Sequence, residues 1–183
     1  PLHTNMDIQI IDEENYFFKL SAFQEPLLAF YENHPDFVIP EFRFNEVKNF
    51  VKNGLEDFSI SRLKEKMPWG VPVPDDESQV MYVWFDAPIG YISATKQWAL
   101  DNGKAWEPYW NDNDTKLLHF IGKDNIVFHC IIFPVMLKLH GNILPENVPA
   151  NEFLNLEGDK MSTSRNWKLE MRDYINDFVK NAD

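Results

Sequence analysis

Apolar positions along the first fifty residues recur at two different periods. Met6–Ile11 (MDIQII) alternates loosely and Tyr16–Leu20 (YFFKL) is an aromatic run, both reading as extended chain. From about Phe23 to Asn33 the apolar residues Leu27, Leu28, Phe30 and Tyr31 fall on one broad helical face, with Ser21 as a candidate N-cap. Pro35 and Pro40 interrupt the chain. A second helix over about Arg43–Lys52 presents Phe44, Val47, Phe50 and Val51 at helical spacing and stops at Asn53-Gly54. A short run, Ser59–Arg62, and a proline-studded segment, Met67–Pro74, follow.

From Gln79 the pattern changes. Val80–Phe85 (VMYVWF) is nearly continuous, β-branched and aromatic, which predicts a strand buried on both faces. Ile92–Leu100 reads as a helix. Lys116–Ile121 (KLLHFI) predicts a second buried strand. Ile126–His140 is an apolar helix in which Pro134 predicts a kink or a division, and Asn151–Leu156 reads as a third short strand. Strand–helix–strand–helix–strand over 79–156 implies parallel βαβ units, with ligands beyond the carboxyl ends of the strands. Those ends carry DAPIGY (Asp86–Tyr91), GKDN (Gly122–Asn125) and LEGDKMSTSR (Leu156–Arg165), so the polar motifs are expected to converge.

Composition narrows the class. The chain has 183 residues, 44% hydrophobic and 15% aromatic, enough to bury a core and too apolar for disorder. No apolar run reaches the roughly 18 residues of a membrane span, and no signal peptide is expected. The one cysteine, Cys130, excludes an internal disulfide and a multi-cysteine zinc site, so a cytoplasmic setting is expected. The net charge is −12, from 17 basic and 29 acidic residues. Nucleic acid is gripped by cations that neutralise phosphates, so any such grip is expected to lie elsewhere.

Each motif has a plain reading beside a chemical one. Ala87 and Pro88 between the aromatics Trp84 and Tyr91 make either ordinary core or a shaped apolar pocket. The second would suit a thioether, since a sulfur–ring contact is worth about 0.3–1.5 kcal/mol. Asp124 after Gly122 is either an N-cap or a carboxylate that takes two ribose hydroxyls. His129 is either a satisfied core histidine or a pocket residue. Lys160, Ser162, Thr163, Ser164 and Arg165, following Gly158, make either a solvated turn or a set of donors for phosphate oxygens. No nucleophile elbow, Walker loop or G-x-G-x-x-G is present.

Three blocks together, YVWFDAPIGYIS (Tyr82–Ser93), HFIGKDNIVFH (His119–His129) and GDKMSTSR (Gly158–Arg165), resemble consecutive signatures of the methionyl-tRNA synthetases, a branch of the class I aminoacyl-tRNA synthetases. Upstream, ENYFFKL (Glu14–Leu20) and GLEDFSISR (Gly54–Arg62) resemble the end of that family's connective insertion. The resemblance implies an α/β fold. Residues 1–55 would be part of the α+β connective insertion, 56–168 the second half of a Rossmann-like parallel sheet with flanking helices, and 169–183 the start of a helical element. It implies that Trp84, Ala87, Pro88, Tyr91, Asn125 and His129 line a methionine pocket. Gly122 and Asp124 would hold the ATP ribose, and the backbone near Leu154 would meet the adenine. Lys160, Ser162, Thr163 and Ser164 would form the phosphate-facing loop, with Arg62 a further candidate.

The implied activity is that of a methionine–tRNA ligase, with methionine, ATP with Mg2+, and tRNA(Met) as partners and no membrane. Two features depart from the family pattern. The H-x-G-H motif is found nowhere, since the five histidines are His3, His34, His119, His129 and His140. A piece with little activity of its own is therefore expected, and without a cysteine knuckle no zinc is expected. Thr163 also stands where the family usually has a second lysine. A degenerate, non-catalytic module binding a nucleotide or a partner protein, and a class I synthetase for another apolar amino acid, are the alternatives.

Overall fold

A computed structural model describes residues 12–179. The chain begins with a short strand, β1 (Phe17–Phe18), a 3-10 turn over Leu20–Phe23 and the helix α1 (Gln24–Asn33). Next come β2 (Val38–Ile39), α2 (Glu41–Lys52), β3 (Phe58–Ser59) and β4 (Ser61–Leu63). Then follow β5 (Pro72–Val73), β6 (Asp76–Met81), the single turn α3 (Val83–Asp86), α4 (Ile89–Asp101) and α5 (Pro108–Asn111). β7 (Ile121–Gly122) leads through a 3-10 turn into a helix that is π-wound over Phe128–Ile132 and continues as α6 (Phe133–His140). The chain ends with β8 (Val148–Asn151), the hairpin β9 (Asn155–Leu156) and β10 (Asp159–Lys160), and α7 (Met171–Phe178). The expected alternation at Met6–Ile11 lies outside the described residues, as do the last four positions of the helical element expected over 169–183.

The parallel sheet has the order β2-β8-β7. Val38 is registered against Val148, and Ile121 against Ala150. β7, the long helix and β8 thus make a βαβ unit. The core lies where α1, α2 and the π-wound segment cover this sheet. Leu27 and Tyr31, four residues apart on α1, and Phe44, Val47 and Val51 on α2 supply one buried stripe from each helix. Ser21 does not cap α1 through its side chain. It sits in the 3-10 turn, where its backbone N–H donates to Asp57 Oδ1 at 3.0 Å.

Pro134 explains the irregular helix. Proline has no N–H for the carbonyl four residues back, here that of buried Cys130. The Tyr31 hydroxyl donates to that carbonyl at 2.7 Å, so a residue of α1 repairs the gap. The π turn lies just upstream of the proline and contains both Phe128 and His129.

Three predicted strands need correction. The apolar run Val80–Phe85 is strand only to Met81. At Tyr82 the chain turns into α3, because Phe85 and Asp86 donate back to the Tyr82 carbonyl and Ala87 to that of Val83. β6 moreover belongs to an antiparallel sheet, order β4-β6-β5, and not to the parallel one. Lys116–Ile121 shrinks to an isolated bridge at Leu118 and the two residues of β7, with Leu118 and Phe120 exposed. The third strand runs over Val148–Asn151, so Glu152, Phe153 and Leu154 lie beyond its carboxyl end.

Candidate active site

The first residues of α4 and the π-wound segment meet face to face. α3 and its continuation present Trp84, Ala87, Pro88 and Tyr91, while the end of β7 and the turn after it present Gly122 and Asn125, followed by Phe128 and His129. Together with Phe120 and Ile121 these residues line one pocket of about 280 Å3. All six residues expected at a methionine site therefore share one concavity. The convergence does not come from three strands of a single sheet. DAPIGY follows an antiparallel strand and reaches the pocket by packing α4 against the π turn.

Buried His129 is fixed at both ring nitrogens. Nδ1 lies 3.1 Å from the Asn125 carbonyl, which can only accept, so Nδ1 carries the proton in the neutral ring. Nε2, at 2.9 Å from the Tyr91 hydroxyl, then accepts a hydrogen bond from it. Burial lowers the His129 pKa against the opposing pull of the Asn125 carbonyl, favouring this neutral form. The Trp84 and Phe128 rings stand 6.0 Å apart, tilted by 57°, as the aromatic walls.

His119 lies behind this pair, stacked on Tyr91 at 6.1 Å and on Phe133 at 5.6 Å. Its Nδ1 is buried without a partner. Burial, and then the neighbouring His129, push its pKa down to about 4. The motif reading assigned nothing to His119 or Phe128. Phe128 was within reach of the sequence, since it stands three residues after Asn125 on the same helix face.

Gly122 and Asp124 also come together. A Cβ built on Gly122 would stand 2.7 Å from Asp124 Oδ1, so the carboxylate folds closely over Gly122 and a side chain there would displace it. Just beyond the ends of β7 and β8, Lys123 pairs with Glu152 at 2.8 Å. Glu152 is also bound by Arg43 of α2, which reaches Glu46 at 2.6 Å. Lys123 first, and Arg43 second, hold the Glu152 carboxyl below the usual range.

The loop of Lys160–Arg165 follows a two-residue hairpin turn. Glu157 and Gly158 have φ of +52° and +87°, the left-handed pair that a type I′ turn requires. Past β10 the chain closes again, Ser162 and Trp167 exchanging backbone bonds at 2.7 and 3.0 Å. Ser162 Oγ lies 3.2 Å from Ser164 Oγ, and Ser162 and Thr163 edge an open concavity of about 430 Å3 with Met161, Lys168, Leu169 and Glu170. Leu154 is 74% exposed. Lys160 points back toward the strand ends, with its ammonium 5.0 Å from the Phe153 ring centre. Arg62 is not gathered in. It stays on β4, donating to Ser59 Oγ and the Ser61 carbonyl and lying 4.2 Å over the Tyr82 ring.

Two larger cavities lie elsewhere. One of about 590 Å3 runs between α1, β2 and α2, and an apolar one of about 490 Å3 lies between α4 and α6. The first contains none of the polar motifs, and the second meets only the back of DAPIGY, at Asp86, Pro88 and Ile89. Among the described residues no cluster of three or more histidine, cysteine or acidic side chains could hold a metal, and no helix is long and apolar enough to cross a membrane.

The family model for tRNA synthetases class I (M) matches residues 4–182. A methionine–tRNA ligase of Christiangramia forsetii is 59% identical over 143 residues, covering 76% of this chain and 20% of that protein. The corresponding ligase of Salinibacter ruber is 54% identical over 155 residues, covering 76% and 21%. Among solved structures, the Mycobacterium tuberculosis methionyl-tRNA synthetase bound by methionyl-adenylate superimposes with a TM-score of 0.77 at 38% identity, covering 96% of this chain and 33% of that one. The apo form of the same synthetase gives a TM-score of 0.65 at 43% identity over 76% of this chain. The chain spans about a fifth of the length of the curated relatives it matches.

Proposed function

The chain belongs to the tRNA synthetases class I (M), and from that premise we propose that it forms part of a methionine–tRNA ligase. The reaction is ATP-dependent activation of methionine to methionyl-adenylate, then transfer to tRNA(Met). One observation carries this reading. Residues from two separate blocks, 84–91 and 122–129, line a single pocket of about 280 Å3 walled by aromatic rings.

In this reading the thioether lies against Trp84, Tyr91 and Phe128. His129, kept neutral by burial and held in orientation by Asn125 and Tyr91, puts no charge beside the apolar side chain. Gly122 and Asp124 take the ribose, and the exposed backbone at Leu154 meets the adenine. The methionine carboxylate attacks the α-phosphorus as the bond to the pyrophosphate bridge breaks. Lys160, aided by the hydroxyls of Ser162, Thr163 and Ser164, stabilises charge building on the departing phosphates. Positioning and electrostatics carry such a step without covalent work by the protein. Any Mg2+ would enter with the nucleotide. The net charge of −12 supports a tRNA grip outside this chain.

The test is ATP–pyrophosphate exchange by the full-length protein that carries this sequence. Methionine-dependent exchange supports the reading. Exchange that prefers leucine or valine rejects the methionine assignment, and none with any amino acid leaves the non-catalytic module as the better account.

A further inference from the structure

We propose that Lys123 is a second phosphate-directed cation of this site, acting with Lys160 across the ring of Phe153. The proposal rests on the adenylation reading above and adds a residue to it. Thr163 and the position of Arg165 raise the question of where a second charge comes from. The loop contains two cations, Lys160 and Arg165, but Arg165 folds back within the loop, its Nη2 donating to the Lys160 carbonyl at 3.4 Å. It is turned onto the loop's own backbone.

The strand ends supply the other charge. Lys123 and Lys160, 37 positions apart, each hold the ammonium 5.0 Å from the centre of the same Phe153 ring. The aromatic face attracts both and offsets part of their mutual repulsion. Since each lies 5.0 Å from one point, the two are no more than about 10 Å apart, within the reach of flexible lysine stems toward one polyphosphate. Lys123 also lies between Gly122 and Asp124, so a nucleotide whose ribose sits at Asp124 presents its phosphates in the neighbourhood of this side chain. Glu152 anchors Lys123 at 2.8 Å but is half exposed, and its other oxygen is taken by Arg43, so an incoming phosphate can draw the ammonium from it.

The experiment uses Lys123→Met, which keeps the stem and removes the charge, and Lys123→Arg in the full-length protein. Exchange kinetics give the KM for pyrophosphate, the KM for methionine and kcat, and thermal unfolding reports folding. Loss of a charge-assisted contact to phosphate predicts a rise of about tenfold or more in the pyrophosphate KM for Lys123→Met. The methionine KM should stay within about twofold and the unfolding midpoint near wild type, with Lys123→Arg recovering most of the loss. An unchanged pyrophosphate KM and kcat would overturn the proposal. So would equal rises in both KM values with a lowered midpoint, the mark of a purely structural residue. A wild-type protein with no methionine-dependent exchange would instead reject the adenylation reading. Pyrophosphate binding measured by calorimetry then decides Lys123 by itself, equal affinities in wild type and Lys123→Met overturning the proposal.

Discussion

Tyr31→Phe removes one oxygen atom from a residue only 2% exposed. That hydroxyl donates at 2.7 Å to the carbonyl of Cys130, the carbonyl that Pro134 cannot serve. The phenylalanine ring keeps the packing against Phe37 and Phe44, so the transfer and cavity terms are nearly unchanged. What remains is the lost hydrogen bond and a buried carbonyl with no donor, which costs about 1–3 kcal/mol. Tyr31 gains nothing from ionising, since burial raises its pKa well above the usual phenol range, and the effect should be flat from pH 6 to 9.

The cause can be isolated with a second substitution. Pro134→Ala returns an N–H at the position whose helical partner is the Cys130 carbonyl. In that background Tyr31→Phe should cost less than in the wild type, by about 1 kcal/mol or more, a coupling that a double-mutant cycle of denaturant midpoints resolves. The π turn contains His129, so the same cycle should show in the methionine KM as a smaller change of the same sign. Equal costs of Tyr31→Phe in both backgrounds would refute the account of the kink.

Three further outcomes follow from the site. His119→Phe keeps the ring stack on Tyr91 and Phe133 and removes a group with a folded pKa of about 4 against about 6.5 unfolded. Between those values the unfolded chain binds the extra proton, so wild-type stability falls as pH falls, by up to about 3 kcal/mol at pH 4. The variant should lose that part of the slope, and parallel stability curves would contradict it. Gly122→Ala puts a Cβ 2.7 Å from Asp124 Oδ1 and should raise the ATP KM about tenfold. Its unfolding midpoint should barely move, because φ at Gly122 is an ordinary −75°. An unaltered ATP KM would remove Asp124 from the ribose. Tyr91→Phe deprives His129 Nε2 of its donor and should raise the methionine KM about fivefold, for roughly 1 kcal/mol. A change confined to the ATP KM would argue against the pocket.

Local periodicity made α1 and α2 legible, because each buries a stripe that its own sequence spells out. It misjudged Val80–Phe85, since an apolar run reads alike as buried strand or as strand followed by helix. Only the backbone bonds closing on Tyr82 separate the two. β2 had no local signature at all. Val38 and Ile39 sit between prolines, and they become a core strand because β8, about 110 positions later, offers the edge they pair with. That pairing joins residues before and after position 55 into one core.

The candidate site divides in the same manner. Trp84, Ala87, Pro88 and Tyr91 were readable as one group because the short junction of α3 and α4 holds them, and Gly122 with Asn125 and His129 because one strand end, turn and helix do. The loop was harder, since its chemistry depends on where its charges point. Counted along the chain, Lys160 and Arg165 are its cations and Thr163 is a missing one. In space Arg165 makes one long bond, at 3.4 Å, to the loop's own backbone, while Lys123 from another block shares the Phe153 ring with Lys160. Charge near a phosphate falls off with distance and not with sequence separation. The absence of a second loop lysine is therefore a deficit only in the linear count, and the strand end next to the loop is where the replacement charge stands.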